Sequence, residues 1–229
     1  MTDKMLVFAP RFDTATEYSF QWAQSFIDKI KEQSVDYSTL LEEDAIKRKF
    51  DEEIPYKDIL VFFDHGGKDG LFGNDGKKIV TKISVGKLCG KKIFTMACLS
   101  ALELGALAYY SGCPEYWGAI ESIGFTLVDA DLFGEVFVEG AYSRFIEDKT
   151  ISEVMEQMKN HFDSQKEKTN NPWTKIWLEK DKDMWVCWCC DNPPEKPKEL
   201  TWWEKLIEAI LDFLEAIGMI EYDCSFIIN

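Results

Sequence analysis

Short runs of mainly apolar residues, separated by longer stretches with helical spacing, constrain the fold of this chain more than any other feature. The clearest runs cover residues 5–9, 59–63 and 91–97. Runs of this length that are bounded by turn residues are typical of strands buried on both faces of a parallel sheet. Strands that alternate with helices predict an α/β protein, here a three-layer α-β-α sandwich with a mostly parallel central sheet.

The helices are predicted from apolar residues that recur at intervals of three and four positions. The first such series is Phe20, Ala23, Phe26, Ile27 and Ile30. Further helices are predicted over residues 99–110, 129–145 and 151–162, with an additional strand over residues 117–127. Residues 1–163 together form the predicted main domain.

The composition changes at residue 164, and residues 164–229 form a C-terminal extension rich in Trp and Cys. The extension ends in a predicted amphipathic helix that opens at Thr201 and carries an apolar stripe from Trp203 to Ile217. An apolar stripe of this kind needs a surface to cover. We therefore expect the extension to pack on the same domain.

Four cysteines of the extension invite a comparison with zinc sites. They are Cys187, Cys189, Cys190 and Cys224. Structural zinc sites favour cysteines two to four positions apart in turns, and this cluster is instead interleaved with tryptophan. In an alternating strand Trp185, Cys187 and Cys189 share one face, so ordinary packing is the favoured interpretation. No metal and no cofactor is predicted.

The charge of the chain argues against several classes of partner. Lys and Arg total 26 against 41 Asp and Glu, so the formal net charge at pH 7 is −15. A chain this acidic repels nucleic-acid phosphates and anionic lipids. The sequence contains no run of about 18 apolar residues, and seven cysteines is an odd number for a secreted disulfide framework. We therefore expect a cytoplasmic protein that binds neither nucleic acid nor membrane.

The residues that follow two of the predicted strands carry the strongest chemical signal. His65 and Gly66 come just after the second apolar run, and Ala97 and Cys98 close the third. Because neighbouring parallel strands end at the same sheet edge, the imidazole and the thiol are expected to meet there. An imidazole is the usual partner that converts a thiol into a nucleophilic thiolate. The backbone N–H groups of Gly66 and Cys98 are suited to stabilise an oxyanion.

The order of these motifs resembles that of the caspase-like (clan CD) cysteine peptidases, the group that contains caspases, clostripain, gingipains, legumain, separase and the CHAT domains. His65-Gly66 and Ala97-Cys98 are the matched positions. The segment over residues 118–126 is also similar to the strand that these proteins place beside the nucleophile strand. The resemblance covers residues 5–162.

Two departures separate the chain from true caspases. Met96 precedes Ala97 and Leu99 follows Cys98, so the Gln-Ala-Cys-x-Gly signature is absent. Cys98 follows His65 by 33 residues, whereas the two catalytic residues of caspases are about 50 residues apart. The chain is therefore closer to the clostripain, gingipain and CHAT-type prokaryotic relatives.

The resemblance implies a cysteine endopeptidase that cleaves a polypeptide substrate without a cofactor. Cys98 is the implied nucleophile, His65 moves the protons, and Gly66 and Cys98 supply the oxyanion hole. Clostripain-like relatives place an acidic residue on or after the strand that follows the nucleophile. Asp129 and Asp131 occupy that position, which implies a substrate pocket for Arg or Lys. Glu121 is a weaker candidate for the same role.

Interpretations from other classes stay open at this point. A catalytically inactive caspase-fold module would bind a regulatory protein partner through the C-terminal extension. Asp129 and Asp131 are equally suited to cap the helix that follows them. A doubly wound domain that binds a small molecule is a further alternative, although the glycine-rich first turn of such domains is missing.

Overall fold

The computed structural model describes residues 3–196, together with Trp202, Leu206, Ile207 and Ile210. This part of the chain contains nine strands and six α-helices. In chain order they are β1 (Lys4–Ala9), α1 (Thr14–Lys31), β2 (Asp36–Leu41), α2 (Lys47–Glu53), β3 (Ile59–Phe63), β4 (Gly66–Gly67), β5 (Gly70–Phe72), β6 (Lys78–Thr81), β7 (Lys92–Met96), α3 (Leu104–Tyr110), β8 (Glu115–Ala119), α4 (Ala130–Phe145), α5 (Ile151–Lys168), α6 (Pro172–Met184) and β9 (Trp185–Trp188).

Six of the strands form one sheet in the order β2-β1-β3-β7-β8-β9. Within this sheet β9 pairs antiparallel with β8, and the other five strands run parallel to one another. The strands β4, β5 and β6 form a small antiparallel sheet that the chain builds between β3 and β7. The predicted α/β class with a mostly parallel central sheet is confirmed.

The side chains of the central strands alternate between two apolar cores. In β3, Ile59, Val61 and Phe63 belong to the first core, and Leu60 and Phe62 belong to the second. Helices α1, α4, α5 and α6 contribute to the first core, whereas α2 and α3 contribute to the second. Helices therefore cover both faces of the sheet, an arrangement compatible with three layers. Burial on both faces explains why these strands are apolar at successive positions.

Capping residues determine where two of the long helices begin. Asp13 precedes α1, where its side chain accepts the Thr16 N–H and the Thr16 hydroxyl accepts the Asp13 N–H. Thr150 and Glu153 form the same reciprocal pair at the start of α5. These capping boxes satisfy backbone donors that a helix terminus leaves without a partner.

The structure corrects two predicted elements near the third apolar run. The strand predicted over residues 117–127 ends at Ala119, and the helix predicted from residue 99 begins at Leu104. The backbone of Leu99 has a φ of 56°. Since this left-handed conformation is incompatible with a right-handed α-helix, the helix has to start further along the chain.

The C-terminal extension contributes an edge strand to the central sheet. Residue 163, the predicted domain boundary, lies within α5, and the chain beyond it forms α6, which packs on α5, and β9. Trp185, Cys187 and Cys189 belong to the first core, which confirms their predicted shared face. Through β9 this part of the extension and the main sheet share one set of hydrogen bonds.

Most of the predicted C-terminal helix, like Cys224, lies outside the described residues. The four described residues of that segment, from Trp202 to Ile210, are helical and exposed. A search of the described helices finds none that combines the length and apolar character needed to cross a membrane.

Candidate active site

His65 and Cys98 follow neighbouring strands at the same edge of the sheet. The strands β3 and β7 pair in parallel with Phe63 opposite Met96, and each candidate residue lies two positions beyond that pair. Side chains two positions apart along a strand point to the same face. Phe63, Met96 and Cys98 all belong to the first core. Alternation along the chain predicts that the His65 side chain, two positions after Phe63, lies on this same face.

Gly66 brings the segment after His65 into direct contact with the chain that follows β7. A Cβ atom added at Gly66 would lie 2.7 Å from the Ala97 Cβ and 3.0 Å from the Cys98 carbonyl oxygen. Both distances are shorter than normal van der Waals contacts, so only glycine fits at this position. The two backbone segments predicted to supply oxyanion donors are therefore packed against each other.

Burial keeps the Cys98 thiol protonated in this structure. Cys98 is 8% exposed, and its sulfur donates a hydrogen bond of 3.8 Å to the Ile123 carbonyl oxygen. Burial raises the pKa of the thiol to about 12; the hydrogen bond to Ile123 opposes the rise, and the nearby Asp181 adds to it. The thiolate is the nucleophilic form of cysteine, so the Cys98 sulfur is not nucleophilic in this arrangement.

The backbone that follows Cys98 is strained. Leu99 has a φ of 56°, and a bulky residue in this conformation costs about 1–2 kcal/mol. Hydrogen bonds hold the strained segment in place: the Leu99 N–H donates to the Glu121 carbonyl oxygen at 2.9 Å, and the Trp188 indole N–H donates to the Ala101 carbonyl oxygen at 2.6 Å. Strain that is maintained in this way is concentrated at functional sites in proteins.

The imidazole of His65 contacts a carboxylate. Asp13, in the loop between β1 and α1, places its Oδ2 atom 2.6 Å from Nε2 of His65, which is only 3% exposed. The ring of Phe12 lies beside the imidazole, with 5.4 Å between ring centroids. Burial acts to raise the pKa of Asp13, but hydrogen bonds from the His65 ring and the Thr16 backbone outweigh it and lower the pKa to about 2. Asp13 is therefore charged at neutral pH.

The two predicted substrate-binding carboxylates lie near the start of α4. Asp129 precedes the helix without a capping hydrogen bond from its side chain, and its Oδ2 accepts hydrogen bonds from Thr169 at 2.8 Å and Thr174 at 2.6 Å. Asp131 is exposed and lines a cavity of about 340 Å³ between α1 and α4, together with Trp22. The role of both residues in substrate binding stays a prediction.

Two fully buried carboxyl groups lie close to the candidate dyad. Asp64 directly precedes His65, and neither of its oxygens has a hydrogen-bond partner among the described residues. Asp181, near the end of α6, accepts the Gly124 N–H with one oxygen at 3.2 Å, while its other oxygen has no partner in the described part of the chain. Burial raises the pKa of both groups well above the usual range, which favours their neutral acid forms.

The cysteines outside the candidate site do not form a metal centre within the described chain. The described chain contains six cysteines, including Cys98, and all are free thiols. Within the described ranges, no group of three His, Cys, Asp or Glu side chains is arranged to hold a metal ion. Cys187 and Cys189 line a cavity of about 520 Å³ together with the first half of α5. These two thiols are buried parts of the first core.

Two acidic residues near the candidate dyad, Asp13 and Asp181, were not identified from the sequence. Asp13 had a usable signal, because it follows the first strand at the edge that carries His65 and stands three residues before Thr16, as a helix cap would. Asp181 had none. It lies in a stretch of alternating charges, and only the register of α6 shows that its side chain points inward.

The structure brings the Asp13 carboxylate to the His65 imidazole and packs Gly66 against the backbone of Ala97 and Cys98, whereas the Cys98 sulfur contacts Ile123. A thiol, an imidazole and close backbone N–H groups are the kinds of group that acyl transfer uses. Comparison of the chain with protein-family models finds no match, and comparison with curated proteins finds none either.

Proposed function

We propose that this chain is a caspase-like cysteine endopeptidase in which His65 and Cys98 form the catalytic dyad. The observation that carries the proposal is their position two residues beyond paired positions of neighbouring parallel strands, on one face of the sheet. The mostly parallel sheet with helices on both faces is the architecture that the resemblance implies. The strained backbone at Leu99 adds support, since strain marks functional segments.

The proposed reaction is acyl transfer to the Cys98 sulfur. The thiol proton passes to His65, and the thiolate attacks the carbonyl carbon of the substrate peptide. The N–H groups of Gly66 and Cys98 stabilise the negative oxygen of the tetrahedral intermediate. The C–N bond then breaks, His65 returns the proton to the leaving amine, and water hydrolyses the thioester to release the second product.

Activity requires the resting site to open. The Ile123 carbonyl, which accepts the hydrogen bond from the Cys98 sulfur, belongs to the irregular segment that follows β8. We propose that substrate displaces this segment and takes up the position over the sulfur. Because burial is the main cause of the raised pKa of Cys98, opening also lowers that pKa toward its ordinary value.

The proposed substrates are polypeptides with Arg or Lys before the cut. Asp129 and Asp131 are the proposed binding residues. We also place the activity in the cytoplasm, which is consistent with the six free thiols among the described residues.

A peptidyl electrophile that carries arginine before its reactive group tests the proposal. It should modify Cys98 in the wild type and in Cys190→Ala, which removes an exposed thiol, but not in Cys98→Ala or His65→Ala. Peptide mapping by mass spectrometry identifies the labelled residue. A peptide library should be cut after Arg or Lys, and cleavage only after Asp would contradict the roles of Asp129 and Asp131.

The burial of Cys98 favours one competing function, that of an inactive module which binds a regulatory protein. Four exposed apolar residues of the C-terminal segment supply a surface for such a partner. They are Trp202, Leu206, Ile207 and Ile210. In that case the electrophile should label exposed Cys190 in the wild type and leave Cys98 unmodified, and no peptide should be hydrolysed.

A further inference from the structure

We propose that Asp13 is a positioning residue, which holds the His65 imidazole in one orientation and selects the nitrogen that receives the proton of Cys98. The inference rests on the proposed function for its catalytic part. It adds a third member to a site whose family resemblance implies only a dyad. The contact that carries it is the 2.6 Å distance between Oδ2 of Asp13 and Nε2 of His65.

The direction of this hydrogen bond follows from the charge of Asp13. Burial acts to raise the pKa of Asp13, but the contacts with His65 and Thr16 lower it to about 2, so the side chain is ionised at neutral pH. A carboxylate can only accept hydrogen bonds, so Nε2 of His65 has to carry the proton. In a neutral imidazole the other nitrogen, Nδ1, is then the basic one. The structure thereby assigns Nδ1 as the proton acceptor.

The Asp13 carboxylate is held in place through both of its oxygens. Oδ1 accepts the backbone N–H of Thr16 at 2.8 Å and contacts the Thr16 hydroxyl at 2.9 Å, while Oδ2 contacts His65. The first set of contacts caps α1 and fixes the side chain before any substrate arrives. A carboxylate held in this way orients the buried imidazole without further loss of conformational freedom.

The negative charge of Asp13 also balances the positive charge that His65 gains during the proposed reaction. When the Cys98 proton moves to Nδ1, the imidazole becomes a cation that carries protons on both nitrogens. The negative charge of Asp13, bonded to Nε2, stabilises that cation, and it stays ionised throughout. The proton on Nδ1 then leaves with the amine when the C–N bond of the tetrahedral intermediate breaks, and the imidazole returns to its starting form.

The helix cap provides variants that separate the two roles of Asp13. Asn and Ser are as effective as Asp at a helix N-terminus, so Asp13→Asn and Asp13→Ser should keep α1 intact. The matched control is Thr150→Val, which breaks the equivalent capping box of α5 and leaves the Asp13 carboxylate and its contacts with Thr16 and His65 unchanged. Wild type, Asp13→Asn and Asp13→Ser should have similar melting temperatures, whereas Thr150→Val should melt lower.

The kinetic measurement compares kcat and KM on one arginine-containing peptide. Asp13→Asn and Asp13→Ser should each lower kcat by about 10²-fold or more, the range expected for a misoriented base. KM should change little, because Asp13 is not placed in the substrate pocket. Thr150→Val should keep a kcat close to that of the wild type. Full kcat in Asp13→Asn, or a loss in Thr150→Val as large as in Asp13→Asn, would overturn the inference.

A second measurement does not depend on peptidase activity. The ¹⁵N chemical shifts of imidazole nitrogens report which nitrogen is protonated, and the chain has two histidines, so His161→Gln assigns the signals. Wild type should show the proton of His65 on Nε2, and this preference should disappear in Asp13→Ser. A wild-type proton on Nδ1 would refute the inference even in an active enzyme. An inactive wild type with the expected shifts would refute the proposed function alone.

Discussion

Two buried carboxyl groups at opposite edges of the sheet have different surroundings. Glu115, at the start of β8, accepts hydrogen bonds from Nε of Arg144 at 2.7 Å, from its Nη2 at 2.8 Å, and from the indole N–H of Trp117. Asp64, just beyond the end of β3, has no partner for either oxygen among the described residues. Both side chains are almost completely removed from solvent.

The difference separates an edge whose buried carboxylate is fully paired from an edge whose buried carboxyl group has no partner among the described residues. A buried polar group without a partner costs about 1–3 kcal/mol, so native proteins contain few of them. Here Asp64 and one oxygen of Asp181 lie at the edge that carries Cys98, together with the strained Leu99. Buried groups without partners and backbone strain are common at functional sites in proteins, which agrees with the function proposed for this edge.

The largest effect on stability should come from removing Arg144, the cation that pairs with Glu115. Arg144→Met leaves the Glu115 carboxylate buried without its cation, and we expect the free energy of unfolding to fall by about 3–5 kcal/mol. Urea denaturation at pH 7 measures this change in the free energy of unfolding. The control Arg48→Ala breaks an exposed ion pair with Glu52 and should cost no more than about 0.5 kcal/mol. Equal losses in the two variants would remove the contrast between the edges.

The second-largest effect is a pH dependence of the free energy of unfolding that originates from Asp64 at the other edge. Burial raises the pKa of Asp64 above its unfolded value of about 3.9. The folded state therefore holds a proton that the unfolded state releases, and stability falls as pH rises from about 4 toward the folded pKa. The slope for one proton is about 1.4 kcal/mol per pH unit.

Asp64→Asn should remove this contribution. Its free energy of unfolding, relative to wild type, should increase steadily between pH 5 and pH 7, as measured by urea denaturation at intervals of half a pH unit. Asp131→Asn, at an exposed position, is the matched control. Its curve of unfolding free energy against pH should run parallel to that of the wild type. Parallel curves for Asp64→Asn as well would show that Asp64 is ionised in the folded protein.

The smallest effect tests how tightly the candidate site is packed. Gly66→Ala places a methyl group 2.7 Å from Ala97 Cβ, and overpacking of this kind costs about 1–3 kcal/mol. The control Gly86→Ala has no neighbour within 4 Å of the added atom. Thermal unfolding should therefore show a lower melting temperature for Gly66→Ala alone. Unchanged melting of both variants would mean that the two strand ends can move apart freely.

The central architecture could be predicted from the sequence because local patterns encode it. The apolar runs of β1, β3 and β7 are buried on both faces, so burial and sequence carry the same information. The boundaries after Cys98 and Ala119 could not be predicted, since Ala and Leu favour a helix locally. The left-handed Leu99 and its hydrogen bond to Glu121 depend on tertiary contacts that no local pattern contains.

The candidate site shows the same limit. His65 and Cys98 were found because each follows a recognisable strand, and parallel pairing alone determines their common edge. Asp13 and Asp181 reach that edge from a loop and from a helix end, where the direction of a side chain depends on packing. Whether a carboxyl group is buried without a partner, as at Asp64, is a property of the whole fold.

The antiparallel strand β9 has a consequence for any maturation of this protein by proteolysis. Its pairing with β8 shields a strand whose side chains, Tyr116 and Trp117 among them, are buried. A cut before Trp185 that released the tail would leave β8 with an open row of backbone donors and acceptors, which recruits strands of other molecules. Loss of β9 would therefore open this edge of the sheet, whereas a cut beyond Trp188 leaves the pairing with β8 intact.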